Sequence, residues 1–167
     1  PTGNLSIETL NSNYQSNNSE VMAVLLDVET WPGTGLPTIN QGHVKNPQKT
    51  QYLNATRPAD NKSPGVGSDG VYRDPWGNPY IITLDLNFDE RARDAFYRLQ
   101  RVSQVQSGQP TGQFGLANTP TANGNSYHYE LTAPVMVWSA GPDKMIDPSS
   151  AANRGANRDN ILSWKQQ

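Results

Sequence analysis

"VMVWSAGPDKMIDPSSAANRGANRDNILSWK", residues 135–165, starts as a nearly unbroken apolar run, passes into small and polar residues, and recovers an aromatic anchor at Trp164. A continuous apolar run of this length marks a strand covered on both faces, so the segment from Val135 to Ala140 predicts a central strand. The stretch after it holds too few apolar side chains to pack a core of its own. Something other than hydrophobic contact must therefore fix the middle of the segment.

Working outward, "YHYELT" (127–132) alternates and predicts a second strand, divided from the first by Ala133-Pro134. Upstream, "VYRDPWGNPYIITLDL" (71–86) places a Pro-Trp-Gly-Asn-Pro turn before apolar residues at Ile82, Leu84 and Leu86, the pattern of a strand leaving a tight turn. Asp74, before Pro75, reads as the residue whose carboxylate closes that turn. In "FDERARDAFYRLQRVSQV" (88–105) Ala92, Ala95, Phe96, Leu99 and Val102 form a helical stripe, with acidic residues early, arginines later, and Asn87 in position to cap. That predicts a helix.

A further helix is predicted over about residues 20–30, where Val21, Val24, Leu25 and Val28 share a face and Ser19 stands as N-cap. The Asn/Ser-rich residues before it are poor helix formers, because their side chains compete for backbone hydrogen bonds. Residues 31–50, 54–70 and 107–125 are rich in Gly, Pro, Asn and Thr and read as long loops. The fold class is therefore α+β: an N-terminal helix packed on a small antiparallel sheet, with long loops and an extra helix. At 167 residues a single domain spanning 1–167 is expected.

Composition narrows the function. Apolar residues make up 34% of the chain, with 14 glycines and 13 prolines, yet four Trp and seven Tyr supply more aromatic surface than disordered chains carry. The net charge is −2 and the Lys and Arg residues are scattered, which argues against nucleic acid as a partner. With no cysteine there are no disulfides, thiolate metal sites or thiol nucleophiles. No stretch of about 18 apolar residues is present. The chain opens Pro1-Thr2, as expected of a processed form of something longer.

Candidate chemistry is sparse. His43 lies in a loop and His128 in a strand, neither near a recognisable nucleophile; His43 reads as a hydrogen-bonded structural residue and His128 as a half-exposed sheet residue. "PGVGSDG" (64–70) lacks the Lys-Ser/Thr and helix start of a phosphate loop. The segment at 135–165 differs, since it concentrates Asp143, Asp147, Asp159 and Asn160 between two anchored ends. Oxygen donors of this kind suit a hard cation such as Ca²⁺, which takes 6 to 8 oxygens. It is not an EF-hand: counted from Asp143, the third position is Met145, the sixth Pro148 and the twelfth Arg154. The same residues also suit a polar surface loop built from Asx turns.

The motifs "YRDPWGNPY", "VMVWSAGPDKMID" and "DNILSW", in this order, resemble the globular domain of the major pseudopilin of type II secretion systems. The resemblance covers roughly residues 71–86 and 134–165, with the helix near 20–30 matching by position. It implies a pilin-like fold and a C-terminal loop that binds one calcium. The matching positions are Asp143, the pair Asp159 and Asn160, and the main-chain carbonyl of Ala140. Asn160 stands where the family has an aspartate and Lys144 where it has a glycine, and Asp147 could supply the missing charge. The resemblance further implies a hydrophobic N-terminal helix anchored in the inner membrane, absent from this chain, with Leu5 to Val28 as its remnant.

It also implies a periplasmic or extracellular globular head and a non-catalytic role. Partners would be further copies in a filament, other pseudopilins, and inner-membrane components of the secretion system. Residues 87–125 depart from the short family pattern and fit a related type IV pilin-like filament equally well. A calcium-dependent adhesin or carbohydrate-binding module is the alternative, since it too would carry Asn, Trp and Tyr in long loops. A hydrolase with an unusual site is the third.

Overall fold

The computed structural model describes residues 5–6, 17–106, 109, 111–120 and 127–165. In chain order it has β1 (Leu5–Ser6), α1 (Ser19–Leu25), β2 (Gly65–Val66), β3 (Tyr72–Arg73), β4 (Ile81–Leu84), α2 (Gln100–Ser103), β5 (Ala117–Pro120), β6 (Tyr127–Glu130), β7 (Val135–Ser139), β8 (Met145–Ile146) and β9 (Ile161–Leu162). Every strand pairing is antiparallel, so the architecture is α+β with small antiparallel sheets. The chain gathers into two compact units, Asn17–Tyr80 and Pro1–Ser16 with Ile81–Gln167. Among the described residues no helix is long and apolar enough to cross a membrane.

In the unit Asn17–Tyr80, α1 is shorter than its sequence pattern predicts. Asp27 adopts a left-handed conformation, φ 53°, and the Asp27 and Val28 N–H groups donate back to the carbonyls of Val24 and Ala23. This is a Schellman closure, which satisfies the last carbonyls and ends the helix. The face it buries is Met22, Ala23 and Leu26 rather than the expected valines. Ser19 is the first helical residue, not the cap. Asn18 precedes it, and its amide bonds the carbonyls of Tyr72 and Tyr80 at 3.0 and 2.8 Å while its oxygen accepts the Tyr72 N–H.

The Asp-Pro-Trp-Gly-Asn-Pro turn forms as expected. Asp74 is buried, and one carboxylate oxygen accepts the N–H groups of Trp76 and Asn78 while the other accepts the Asn78 amide. Gly70, at φ +77°, lies under the Trp31 ring, where a Cβ would stand 2.3 Å from the indole. Only glycine fits there.

In the second unit β7 is the centre of a three-stranded sheet, β4-β7-β9, as its apolar run predicts. Ile81 pairs with Trp138 and Leu84 with Val135, and Trp138 pairs with Leu162 on the other side. The inward face of β4 is offset by one residue from the expected alternation: Ile81 is buried, whereas Leu84 and Leu86 are exposed. A second ribbon, β5 with β6, places a strand inside the segment expected to be a loop. β1 pairs with β8, so Leu5–Ser6 is strand rather than part of a helix running from Leu5 to Val28; the rest of that stretch before Asn17 lies outside the described residues.

The helix expected after Asn87 is absent, apart from one turn at residues 95–98 and the four residues of α2. Its stripe nevertheless reaches the core, where Ala92, Phe96 and Val102 are fully buried. Carboxylates bind backbone N–H groups along this segment. Asp85 accepts from Asn87, Phe88 and Glu90, and Asp89 accepts from Arg91. Ala92 pairs instead with Leu131. Such local side-chain capture competes directly with helix formation.

Asp94 organises this core. It is 1% exposed and accepts four hydrogen bonds: the Phe96 and Tyr97 N–H groups at 2.8 Å, the Thr83 hydroxyl at 2.9 Å and the Trp138 indole N–H at 3.0 Å. Around it Phe96 stacks on Trp138, and Tyr97 meets Trp138 and Trp164 edge-on at 5.2 and 5.3 Å.

Candidate functional site

The C-terminal loop leaves β7 through Ala140, fully buried, and Gly141, at φ +67°. A Cβ on Gly141 would stand 2.2 Å from the Asp159 carbonyl, so the outgoing and returning chains cross at van der Waals contact and only glycine permits it. The crossing brings Asp143 and Asp159 together. The Asp143 N–H donates to the Asp159 carboxylate at 3.2 Å, and the Asp143 carboxylate accepts the Met145 N–H at 2.8 Å. No described ion pair includes either aspartate.

Asn160, next in the chain, is 4% exposed. Its amide N–H donates to the Tyr97 hydroxyl at 2.9 Å, while its side-chain oxygen is buried with no hydrogen-bond partner among the described residues. Burial pushes the Tyr97 phenol far above its ordinary value, outweighing the Asn160 hydrogen bond that pulls it down, and the Asp94 carboxylate adds to the rise, so it stays protonated.

Asp147 has different company. Its carboxylate accepts the Ser149 N–H at 2.8 Å and the Ser150 hydroxyl at 2.6 Å. The Ser150 hydroxyl first, then the Ser149 N–H, hold the carboxyl below its ordinary value. Its backbone is gripped by Asn157, whose oxygen accepts the Asp147 N–H and whose amide donates to the carbonyls of Asp147 and Ser150. Asn157 is buried, and the sequence reading passes it over. Its only signal is an Asn ten residues beyond an Asp-Pro-Ser-Ser turn. Together with buried Ile146, Ala152, Ala156 and Leu162, this network answers what holds the segment in place.

The structure thus brings Asp143 and Asp159 together, with Asn160 beside Asp159 in the chain, and sets Asp147 in its own hydrogen-bonded turn. Among the described residues no three acidic or histidine side chains group as a metal site. The donors that fit a hard cation are the Asp143 and Asp159 carboxylates and the unpartnered Asn160 oxygen. All are oxygens, the ligand type a hard cation takes.

The histidines are placed separately. His43 lies between two carboxylates, Nδ1 at 2.8 Å from Asp27 and Nε2 at 3.1 Å from Glu29. The contact with His43 is the main cause of a lowered Asp27 pKa, with the Asn40 amide adding to it. This ties the loop at 40–43 to the end of α1, a structural use. His128 sits in β6 opposite Thr119. Comparison of the chain with protein-family models, curated proteins and solved structures returns no match.

Proposed function

We propose that the chain is the pilin-like globular head of a structural subunit, in a type II secretion pseudopilus or a related type IV pilin-like filament. In this reading the full-length subunit is held in the inner membrane by a preceding apolar helix. Its head faces the periplasm or the exterior, and it works by assembly rather than catalysis. Copies join through repeated contacts of the open, heterologous kind that build filaments. The C-terminal loop, closed by Ca²⁺, stiffens the surface that takes part.

The observation that carries the calcium part is the meeting of Asp143 and Asp159 across the Gly141 crossing. The Asp143 N–H on the Asp159 carboxylate places both acidic residues at one end of the loop, where their oxygens could share a cation. The buried Asn160 oxygen, lacking a donor, supplies a third ligand of the right chemistry. Asp143, Asp159 and Asn160 would hold the ion, with the Ala140 carbonyl at the loop's exit. Asp147 is committed to Ser149 and Ser150 and serves the turn.

Ion binding to the folded state alone stabilises it by about 2.7 kcal/mol at a hundredfold excess over Kd. The expected result is a melting temperature that rises by roughly 5–10 °C when calcium replaces chelator. Asp159→Ala should remove the rise and weaken assembly. Superimposable melts with calcium and with chelator would defeat the calcium reading.

A further inference from the structure

The unit formed with Ile81–Gln167 carries an exposed aromatic knob and an aromatic pocket. The knob is the segment after β4, where Leu86 is 80% and Phe88 90% exposed. It is an ordered pedestal, because Asp85 binds the N–H groups of Asn87, Phe88 and Glu90 at 3.2, 2.9 and 2.8 Å, and Asp89 binds the Asn87 amide at 2.9 Å. Phe88 and Glu90 take left-handed backbone, φ 59° and 62°, which those bonds sustain. An aromatic displayed on a rigid loop loses little conformational entropy on binding, the property of an interface anchor.

The pocket is a cavity of about 420 Å³ walled by Phe114, Leu131 and Trp164, with Gly115 and Lys165 at its border. Its size falls within the range of small-ligand sites, roughly 300–1,000 Å³. The Lys165 ammonium lies 4.9 Å above the Phe114 ring. Trp164 contributes a buried indole N–H with no acceptor among the described residues, and Phe114 is itself held in a left-handed conformation, φ 54°. The pocket offers apolar walls, one cation and one unused donor.

The two features complement each other. Phe88 is followed directly by Asp89 and Glu90, while the nearby Arg91 guanidinium lies 3.8 Å from the Glu130 carboxylate. The knob therefore presents an aromatic ring with negative charge beside it, and the pocket an aromatic socket with positive charge at its edge. We infer that the pocket receives the Phe88 loop of a second copy of this chain, with Asp89 and Glu90 against Lys165. This rests on the proposed function for the claim that heads meet at all, and names the contact through which they do.

The test is carbodiimide coupling of an equal mixture of ¹⁴N- and ¹⁵N-labelled chains at submillimolar concentration, with mass spectrometry of the linked peptides and sedimentation of the same samples. The inference predicts an Asp89 or Glu90 to Lys165 linkage, about half of it joining light to heavy chains. Phe88→Ala, at a solvent-exposed position that leaves the core untouched, should lower the linkage at least tenfold. A linkage confined to chains of one isotope would show the loop filling its own pocket and overturn the inference. Chains that associate without this linkage, or with a linkage indifferent to Phe88→Ala, would also overturn it while leaving assembly intact. Chains that stay monomeric and unlinked would remove both the contact and the reading of heads that meet.

Discussion

Asp94 and the pair Asp143 and Asp159 show one side chain in two opposite situations. Asp94 is buried and accepts four hydrogen bonds, two from backbone, one from Thr83 and one from Trp138. Asp143 and Asp159 meet through the Asp143 N–H, and each carboxylate accepts one described hydrogen bond. A carboxylate saturated by donors is a structural element that needs no ion. Carboxylates with few protein donors and access to solvent are the kind proposed here to take a hard cation. The two cases differ in both donor count and burial: Asp94 is 1% exposed, whereas Asp143 is exposed and Asp159 half-buried.

The comparison breaks most visibly at Asp94. Asp94→Ala leaves buried donors from Phe96, Tyr97, Thr83 and Trp138 without an acceptor, and should cost about 3 kcal/mol or more. Chemical denaturation would read this as a lower midpoint, with near-ultraviolet dichroism of Trp138 reporting the lost packing. A midpoint close to wild type would show that the four bonds contribute little.

The difference between the two regions also explains what the sequence discloses. β7 is legible because a run of apolar residues leaves a central strand as the economical solution, and the Asp74 turn because Asp-Pro with a following Gly-Asn-Pro has few other uses. The segment 87–105 is misread because its apolar spacing fits a helix. Asp85, Asp89 and Asp94 capture the backbone N–H groups, and that competition is invisible to a periodicity count. The apolar residues still reach the core, so the stripe identifies the interior correctly and the element wrongly. Likewise α1 ends early because Asp27, fixed by Asn40 and His43 from a distant loop, holds the left-handed position usually given to glycine.

In the candidate site, Asp143 and Asp159 are legible as acidic residues at the two ends of one loop. Their meeting depends on the Gly141 crossing, which spacing alone does not reveal. Asn157 is unreadable for a related reason: its side-chain bonds exist only once the loop has folded around it. Asn157→Ala should therefore destabilise the loop by about 2 kcal/mol and leave the β4-β7-β9 sheet in place. Trypsin would then cut after Arg154 and Arg158 faster than in wild type; unchanged cleavage would show that the small buried alanines suffice.

The smallest expected effect is acidic. Folding lowers the Asp147 pKa from its ordinary value of 3.8. The contribution of Asp147 is therefore complete above that value and is lost as pH falls below it toward the folded-state pKa. Hydrogen exchange at Ser149 and Ser150, measured after correction for the intrinsic pH dependence, should show protection declining through that window. Asp147→Asn should already show reduced protection at neutral pH. Protection that stays flat down to the acid end in wild type would remove Asp147 from the turn's stability.

The contrast between the buried, four-bonded Asp94 and the proposed calcium ligands is tested most directly by calorimetric titration of calcium into the chelator-treated protein. One ion bound per chain, with binding abolished in both Asp143→Ala and Asp159→Ala and kept in Asp147→Ala, is the expected result. Absence of binding heat at any temperature, or binding that survives loss of both Asp143 and Asp159, would contradict the account.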